Sequence, residues 1–172
     1  ATQIHPKSSK GVGCFSSGWT GLTEREIRFF GDPVLKTSCR EVSDPGSVSQ
    51  LVADLLQTCD LPGRAGVAAN QIGVDQRVFS YKVDGQHGYL INPVITRRSE
   101  ETELMEEGCL SVPGVWSNVS RSIEVTILGK QLDGTEVEIE ASGLLAQVFQ
   151  HECDHLDGKL YLDRLDQESK KQ

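Results

Sequence analysis

The most constraining feature of this 172-residue chain is the run His151-Glu152-Cys153-Asp154-His155 near its C-terminus. Residues four apart lie on one face of an α-helix, so His151 and His155 can bind the same metal ion. Glu152 lies about 100° round the helix from His151, which brings its carboxylate close to a metal-bound water without making it a ligand. The spacing therefore predicts a helix that carries a metal site with a carboxylate beside it.

Two histidines do not complete a metal site, and the residues after them offer little. The long protease pattern HExxHxxGxxH is followed as far as its glycine, but Tyr161 stands where the last histidine should be. Cys153 lies about 200° round the helix from His151, and we expect it to be a small core residue. Cys109, in the run Glu-Gly-Cys-Leu-Ser, is a better third ligand, with a buried inert cysteine as the alternative.

Charge and hydropathy exclude two broad classes of protein. The chain has 17 Lys and Arg against 25 Asp and Glu, a formal net charge of −8, which disfavours binding to nucleic-acid phosphates or anionic lipid. No apolar run approaches the ~18–20 residues that span a bilayer. Five cysteines without regular spacing favour a reducing compartment, and we expect a cytoplasmic protein.

The hydrophobic pattern predicts an α+β fold, in which antiparallel β-sheets pack around the C-terminal metal-binding helix. A helical apolar stripe covers residues 48–59, with Ser47 as its N-cap, and a second helix covers residues 144–156. Apolar or alternating runs between them predict strands joined by hairpins. The strand segments are 78–83, 89–95, 123–127 and 137–139, with turns at 84–88 and 133–134. We expect residues 166–172 to be frayed.

The N-terminal residues 1–22 differ in composition from the rest of the chain. They are rich in Ser and Gly, contain no acidic residue, and lack both the apolar stretch of a secretory signal and the arginines of a transit peptide. We expect a leader or added extension here, followed by a single catalytic domain over residues 23–172. The poor transit-peptide signal favours a bacterial rather than an organellar protein.

Three blocks of the chain resemble, in order, the signature motifs of peptide deformylases. They are GVAANQ at 66–71, EGCLS at 107–111 and QHECDH at 150–155, and the run FGDPVL at 30–35 is similar to the usual start of that family. The resemblance covers about residues 27–165. It implies a deformylase-like fold and hydrolysis of the N-formyl group from formylmethionyl nascent chains, with release of formate.

The resemblance also implies a role for each motif residue. Cys109, His151 and His155 would hold Fe²⁺, and Zn²⁺, Ni²⁺ or Co²⁺ suit similar ligands. Glu152 would act as general base and then general acid. The side-chain amide of Gln71 and the backbone N–H of Leu110 would donate to the developing oxyanion, a contribution of ~10²–10³ in rate per donor. We expect the substrate to lie beside Ala65, Gly66 and Val67, and its methionine pocket to be formed by Met105, Gly108, Leu144 and Val148. Ordinary core packing is the alternative for these pocket residues.

Two positions depart from the family pattern. Arg64 stands where the first motif usually has a glycine, so either this position is strained or the loop is re-routed and places Arg64 at the mouth of the cleft. Asn70 stands where proline is common.

Two other functions remain open at this stage: a zinc metallopeptidase with a different third ligand, and a deformylase relative that binds metal or peptide without turnover. We expect a monomer that acts on formylmethionyl nascent peptides, with transient proximity to the ribosome and no binding to nucleic acid or membrane.

Overall fold

The computed structural model describes residues 25–169, so the predicted extension over residues 1–22 lies outside the described residues. Seven strands and three α-helices follow one another along this part of the chain, with short 3₁₀ turns at Pro33–Lys36, Pro45–Val48 and Ala69–Ile72. The helices are α1 (Ser49–Cys59), α2 (Gly143–Leu156) and α3 (Tyr161–Ser169). The strands are β1 (Gly66–Ala68), β2 (Val78–Val83), β3 (Gln86–Arg98), β4 (Thr102–Cys109), β5 (Val112–Ser122), β6 (Glu124–Lys130) and β7 (Glu136–Ser142).

The strands form two antiparallel sheets. Five of them pair in the order β1-β2-β3-β6-β7, and β4 and β5 form a separate hairpin. Among residues 25–169, the three-residue strand β1 pairs only with β2 and is thus an edge strand of this sheet. The α+β fold with antiparallel sheets is confirmed.

Different helices cover the two faces of the five-stranded sheet. Apolar residues on both faces of its strands make this possible. Val78 and Ile91 pack with α1, whereas Phe79 and Leu90, next to them in sequence, pack with α2. Successive side chains of a strand point to opposite faces, so each strand contributes to both cores. On α2 the stripe that packs on the sheet includes Cys153, whose predicted place in the core is confirmed. The stripe consists of Ala146, Phe149, Cys153 and Leu156.

Several predicted boundaries are wrong for local reasons. The 3₁₀ turn Pro45–Val48 precedes α1 and is capped by the Asp44 carboxylate, which accepts from Gly46 N–H, so Ser47 is not the N-cap. The expected loop 84–88 shrinks to a two-residue turn, because Asp84 and Gly85 adopt positive φ values of 49° and 78° and let β3 begin at Gln86.

The helix α3 was not predicted, and its backbone is helical up to Ser169; residues 170–172 of the expected frayed tail lie outside the described residues. Its first turn is fixed by Asp163, whose carboxylate accepts from Leu160 N–H at 2.8 Å. Among residues 25–169, no helix is long and apolar enough to cross a membrane.

Candidate metal centre

Three potential metal ligands converge between the end of β4 and one face of α2. Cys109 ends β4, and His151 and His155 lie one turn apart on α2, all three buried. The Nε2 atoms of the two histidines are 3.0 Å apart, and Cys109 Sγ is 3.3 Å from His155 Nε2. Ligands around a tetrahedral metal lie about 3.3–3.6 Å apart, given bond lengths of about 2.0–2.1 Å to nitrogen and 2.3 Å to sulfur. One thiol and two imidazoles at this spacing therefore fit a divalent transition metal.

The orientation of His151 is set by Glu107 on β4. Glu107 is fully buried and its carboxylate contacts His151 Nδ1, which leaves Nε2 facing the other two ligands. Arg121 on β5 donates to both Glu107 oxygens, from Nε at 3.0 Å and from a terminal nitrogen at 2.5 Å. Burial raises the pKa of Glu107, but His151 and Arg121 outweigh it and lower that pKa to about 2. A carboxylate behind a ligating histidine fixes the ring and its tautomer.

The local electrostatics hold Cys109 and His155 in forms that bind a metal. Burial disfavours the Cys109 thiolate, but nearby positive charge, including that of His151, and the backbone N–H of Ser111 lower the pKa of Cys109 overall. Burial, with the positive charges of His151 and Arg121, holds the pKa of His155 well below its usual range, so its imidazole is neutral. A thiolate and a neutral imidazole are the forms that bind a metal ion. Burial lowers the pKa of His151, but Glu107 and Cys109 outweigh it and raise that pKa to about 9, so this imidazole must lose its proton when a metal binds.

Glu152 lies under the backbone of β1. Its side chain is buried, and a Cβ built on Gly66 would be 2.6 Å from Glu152 Oε1 and 2.9 Å from its Cγ and Cδ. Real Cβ atoms do not approach that closely, so only glycine lets the strand pass over this carboxylate. The same glycine that was expected to contact substrate therefore also makes room for Glu152.

Gln71 has a fixed amide orientation. Its Oε1 accepts from Ala68 N–H at 3.0 Å, so Nε2 points the other way, 3.1 Å from Ser111 Oγ and 3.7 Å from Cys109 Sγ. The amide donor is thus held beside the metal ligands. Leu110, whose backbone N–H was predicted as the second donor, lies in the two-residue turn between β4 and β5, directly after Cys109.

The predicted substrate residues fall into two groups. Ala65 and Val148 pack together in one buried cluster with the half-buried Leu144, next to Gly66 and Val67 on the edge strand β1. Met105 is half-buried on β4, and Gly108 is covered by the ring of Trp116, which would lie 2.9 Å from an added Cβ. The first group lies on and beside β1 and in the N-terminal half of α2, and the second lies on β4, shortly before Cys109 in the chain.

The two departures from the family pattern have local explanations. Among the residues that the structure describes, only Asp84 and Asn92 have positive φ without being glycine, so Arg64 is not strained. Its guanidinium donates to Thr58 O at 2.8 Å, at the end of α1. Asn70 Nδ2 donates to His155 O at 2.5 Å, a contact from the first motif to the metal helix that the sequence did not reveal.

Sequence reasoning also missed Arg121 and Asp154 as parts of the site. Arg121 is 1 % exposed in its side chain and joins Glu107 to Asp154, its terminal nitrogen lying 2.7 Å from Asp154 Oδ2. The available signal was the presence of ionisable residues at positions that must be buried, on a strand next to Cys109 and on the metal helix itself.

Comparisons with known proteins agree with this geometry. Residues 24–171 match the family model described as polypeptide deformylase. Peptide deformylase 1 of Corynebacterium glutamicum is 45 % identical over 155 residues, covering 87 % of this chain and 92 % of the relative. The crystal structure of peptide deformylase from Thermotoga maritima superposes with a TM-score of 0.79 at 37 % identity, covering 83 % of this chain and 97 % of that one.

A further solved structure, the peptide deformylase of Synechococcus elongatus in complex with actinonin, has a TM-score of 0.79 and 31 % identity, and the match covers 92 % of this chain and 87 % of that chain. Both the sequence and the fold are thus shared over most of the described chain. This chain belongs to the peptide deformylase family, the metal-dependent hydrolases that remove the N-formyl group from nascent peptides.

Proposed function

We propose that Cys109, His151 and His155 hold a divalent metal ion and that Glu152, Gln71 and Leu110 carry out deformylation of formylmethionyl peptides beside it. The observation that supports this most strongly is the convergence of one thiol and two imidazole nitrogens within 4.8 Å of one another, with a buried glutamate adjacent in sequence to the first histidine. A metal ion in this position supplies Lewis-acid polarisation of the formyl carbonyl and lowers the pKa of water.

Glu152 moves the proton in this reaction. Its carboxylate takes a proton from the attacking water as the water oxygen bonds to the formyl carbon. When the C–N bond breaks, Glu152 gives that proton to the departing amine, so the products are formate and a free N-terminal amine. The close cover by the Gly66 backbone limits the positions that this carboxylate can take.

Gln71 and Leu110 stabilise the developing charge on the carbonyl oxygen. The Gln71 amide is oriented before substrate arrives, because its oxygen is held by Ala68 N–H. A donor that is already in place costs no reorganisation in the transition state.

The peptide itself is expected to add to the edge of the five-stranded sheet that β1 forms. β1 pairs with β2 on one side, and an extended substrate beside residues 65–67 would form backbone hydrogen bonds on the other. The methionine side chain would enter between Leu144 and Val148 on α2 and Met105 and Gly108 on β4. Gln147 Nε2 donates to Glu106 O at 3.0 Å and so holds these two walls together.

The native metal in this proposal is Fe²⁺, with Zn²⁺, Ni²⁺ or Co²⁺ as replacements, because one thiolate and two imidazoles suit all four. The enzyme would act as a monomer in the bacterial cytoplasm, close to ribosomes. We also expect actinonin, which is bound in the Synechococcus elongatus structure, to inhibit it.

The decisive test is formate release from formyl-Met-Ala-Ser by anaerobically prepared protein. Glu152→Gln should lower kcat by ~10²–10⁴, the contribution of a positioned acid–base group, while bound metal stays the same. Glu138→Gln, an exposed glutamate on β7, is the matched control and should behave as wild type. No formate release from iron- or nickel-loaded wild type would refute the proposal.

A second variant separates this proposal from the zinc metallopeptidase alternative. Cys109→Ser should abolish both metal retention and formate release, because the thiolate is a ligand. A conventional protease, which uses another third ligand, would keep its metal in this variant.

A further inference from the structure

A series of buried charges connects α3 to the metal ligand His151. Arg164 on α3 donates to both carboxylate oxygens of Asp154, from Nε to Oδ2 and from a terminal nitrogen to Oδ1, each at 2.6 Å. Asp154 Oδ2 also accepts from Arg121 at 2.7 Å. Arg121 in turn holds Glu107, and Glu107 contacts Nδ1 of His151.

The charges in this series alternate in sign and balance. The side chains of Glu107 and Arg121 are 0 % and 1 % exposed, Asp154 is 6 % exposed, and Arg164 is 32 % exposed. Two buried carboxylates thus share one buried guanidinium group, of Arg121, and one half-buried guanidinium group, of Arg164. A buried carboxylate is stable there only if opposite charge and hydrogen bonds satisfy it.

Arg164 supplies the hydrogen bond to Asp154 Oδ1 and one of those to Oδ2. Without Arg164, Arg121 would be the one guanidinium group of this series left to pair with both Asp154 and Glu107. Arg121 would then be drawn towards Asp154 and would hold Glu107 less firmly. Glu107 fixes the ring of His151, so the disturbance would reach the metal ligand even though Arg164 does not touch it.

A second contact from α3 also reaches the metal ligand His151. The ring of Tyr161 stacks on His151, with centroids 6.3 Å apart and an interplanar angle of 23°. The Tyr161 hydroxyl donates to Val115 O at 2.8 Å, which anchors that ring on β5. α3 therefore contacts the ligand-bearing region through both an aromatic ring and a charge.

We infer that Arg164 is a positioning residue for the metal site, which acts through Asp154, Arg121 and Glu107 on the ring of His151. This rests on the proposed function, in which His151, His155 and Cys109 hold the metal. Groups behind the ligands typically contribute about 10–100-fold to metal affinity or activity.

The test uses the full chain loaded with Co²⁺, whose visible and thiolate-to-metal absorption reports the ligand geometry. Arg164→Gln should weaken Co²⁺ binding about 10–100-fold and alter the visible bands, because His151 is less well oriented. Arg164→Lys keeps the charge but not the two-point contact, and it should lie between Arg164→Gln and wild type.

Lys36→Gln is the matched control. Lys36 Nζ forms the ion pair with Asp163 at 2.9 Å, which also ties α3 to the rest of the protein but does not touch the buried series. Its Co²⁺ affinity and spectrum should match wild type. Circular dichroism and urea unfolding of each apoprotein establish that the variants are folded.

Normal Co²⁺ affinity and spectrum in Arg164→Gln would overturn the inference while leaving the proposed metal site intact. If Lys36→Gln weakened Co²⁺ binding as much as Arg164→Gln does, the inference would also be overturned, because the attachment of α3 alone would then explain the effect. If Cys109→Ser bound Co²⁺ with the same absorption spectrum as wild type, the proposed metal site would be refuted, and this inference with it.

Discussion

Two halves of the candidate site meet at Cys109, and different interactions hold them in place. On one side, His151 of α2 is oriented by ionised side chains, with Glu107 behind His151 and Arg121 behind Glu107. On the other side, Gln71 and the strand above Glu152 are positioned by backbone groups.

The backbone-held half also includes residues 28–30, at the start of the FGDPVL run and just before it. Arg28 N–H donates to Gln71 O and Phe30 N–H donates to Ser111 O, each at 2.7 Å. Residues 28–30 therefore bridge the first motif, at Gln71, and the second motif, at Ser111. Because alternate N–H groups make the contacts, this side depends on the path of the chain more than on side-chain identity.

The comparison suggests separate consequences for metal binding and for catalysis. Changes on the ion-paired half should reduce metal retention and stability, since a buried charge would lose its partner. Changes on the backbone-held half should lower turnover while the metal stays bound. The variants below test that division, beginning with the largest expected effect.

Glu107→Ala should cause the largest loss of metal binding and of stability. It removes the carboxylate that holds His151 and leaves the buried Arg121 with one partner fewer, a loss of about 3–5 kcal/mol for a broken buried pair. We expect reduced metal content after dialysis and a lower urea midpoint for the apoprotein. Glu106→Ala, an exposed neighbour on β4, is the control. Full metal retention in Glu107→Ala would contradict the role assigned to the ion-paired half.

Gln71→Ala should lower turnover while the metal stays bound. Loss of the oriented amide donor should lower kcat by ~10²–10³, as is typical when one oxyanion donor is removed. Formate release and metal content measured on the same preparation check this, with Gln86→Ala at an exposed position as the control. If the variant lost its metal in proportion to its activity, Gln71 would belong to the metal-holding half instead.

Gly66→Ala tests the backbone path directly. Its Cβ would lie 2.6 Å from Glu152 Oε1, so the carboxylate or the strand must shift. A misplacement of about 1 Å costs ~10² in rate, and we expect a fall of that order in kcat with metal unchanged. Gly46→Ala is the control: its Cβ would lie at an ordinary 3.5 Å from Asp44 Oδ1, and kcat should equal that of wild type. Wild-type turnover in Gly66→Ala would show that Glu152 needs no such close cover.

The same division explains what the sequence could reveal. The spacing of His151 and His155, the strand runs of β2 and β3 and the alternation in β6 and β7 are local patterns, so the metal helix and most of the main sheet were predictable. Arg121 and Asp154 are 33 residues apart and pair only through the fold, so a single sequence can mark each as an ionisable residue at a buried position but cannot show that the two contact each other.

Short and polar elements escaped prediction for a related reason. α3 has few apolar residues. Of its side chains that the structure describes, at 161–165, Tyr161 belongs to the cluster around Cys109, and Leu162 and Leu165 pack against that cluster. Its helical pattern is too short to stand out in the sequence, and its position depends on contacts with Asp154 and Lys36.

Arg64→Ala should give the smallest effect. The Arg64 guanidinium donates to Thr58 O at the C-terminal end of α1, and removing such a contact costs about 0.3–1 kcal/mol. Urea unfolding should show this small loss, whereas kcat/KM for formyl-Met-Ala-Ser should not change. A fall in kcat/KM that grows with a longer, acidic peptide would instead place Arg64 at the mouth of the cleft. That outcome would mean that this side chain leaves Thr58 to bind the substrate carboxylate, and the backbone-held half would then include one ionic contact.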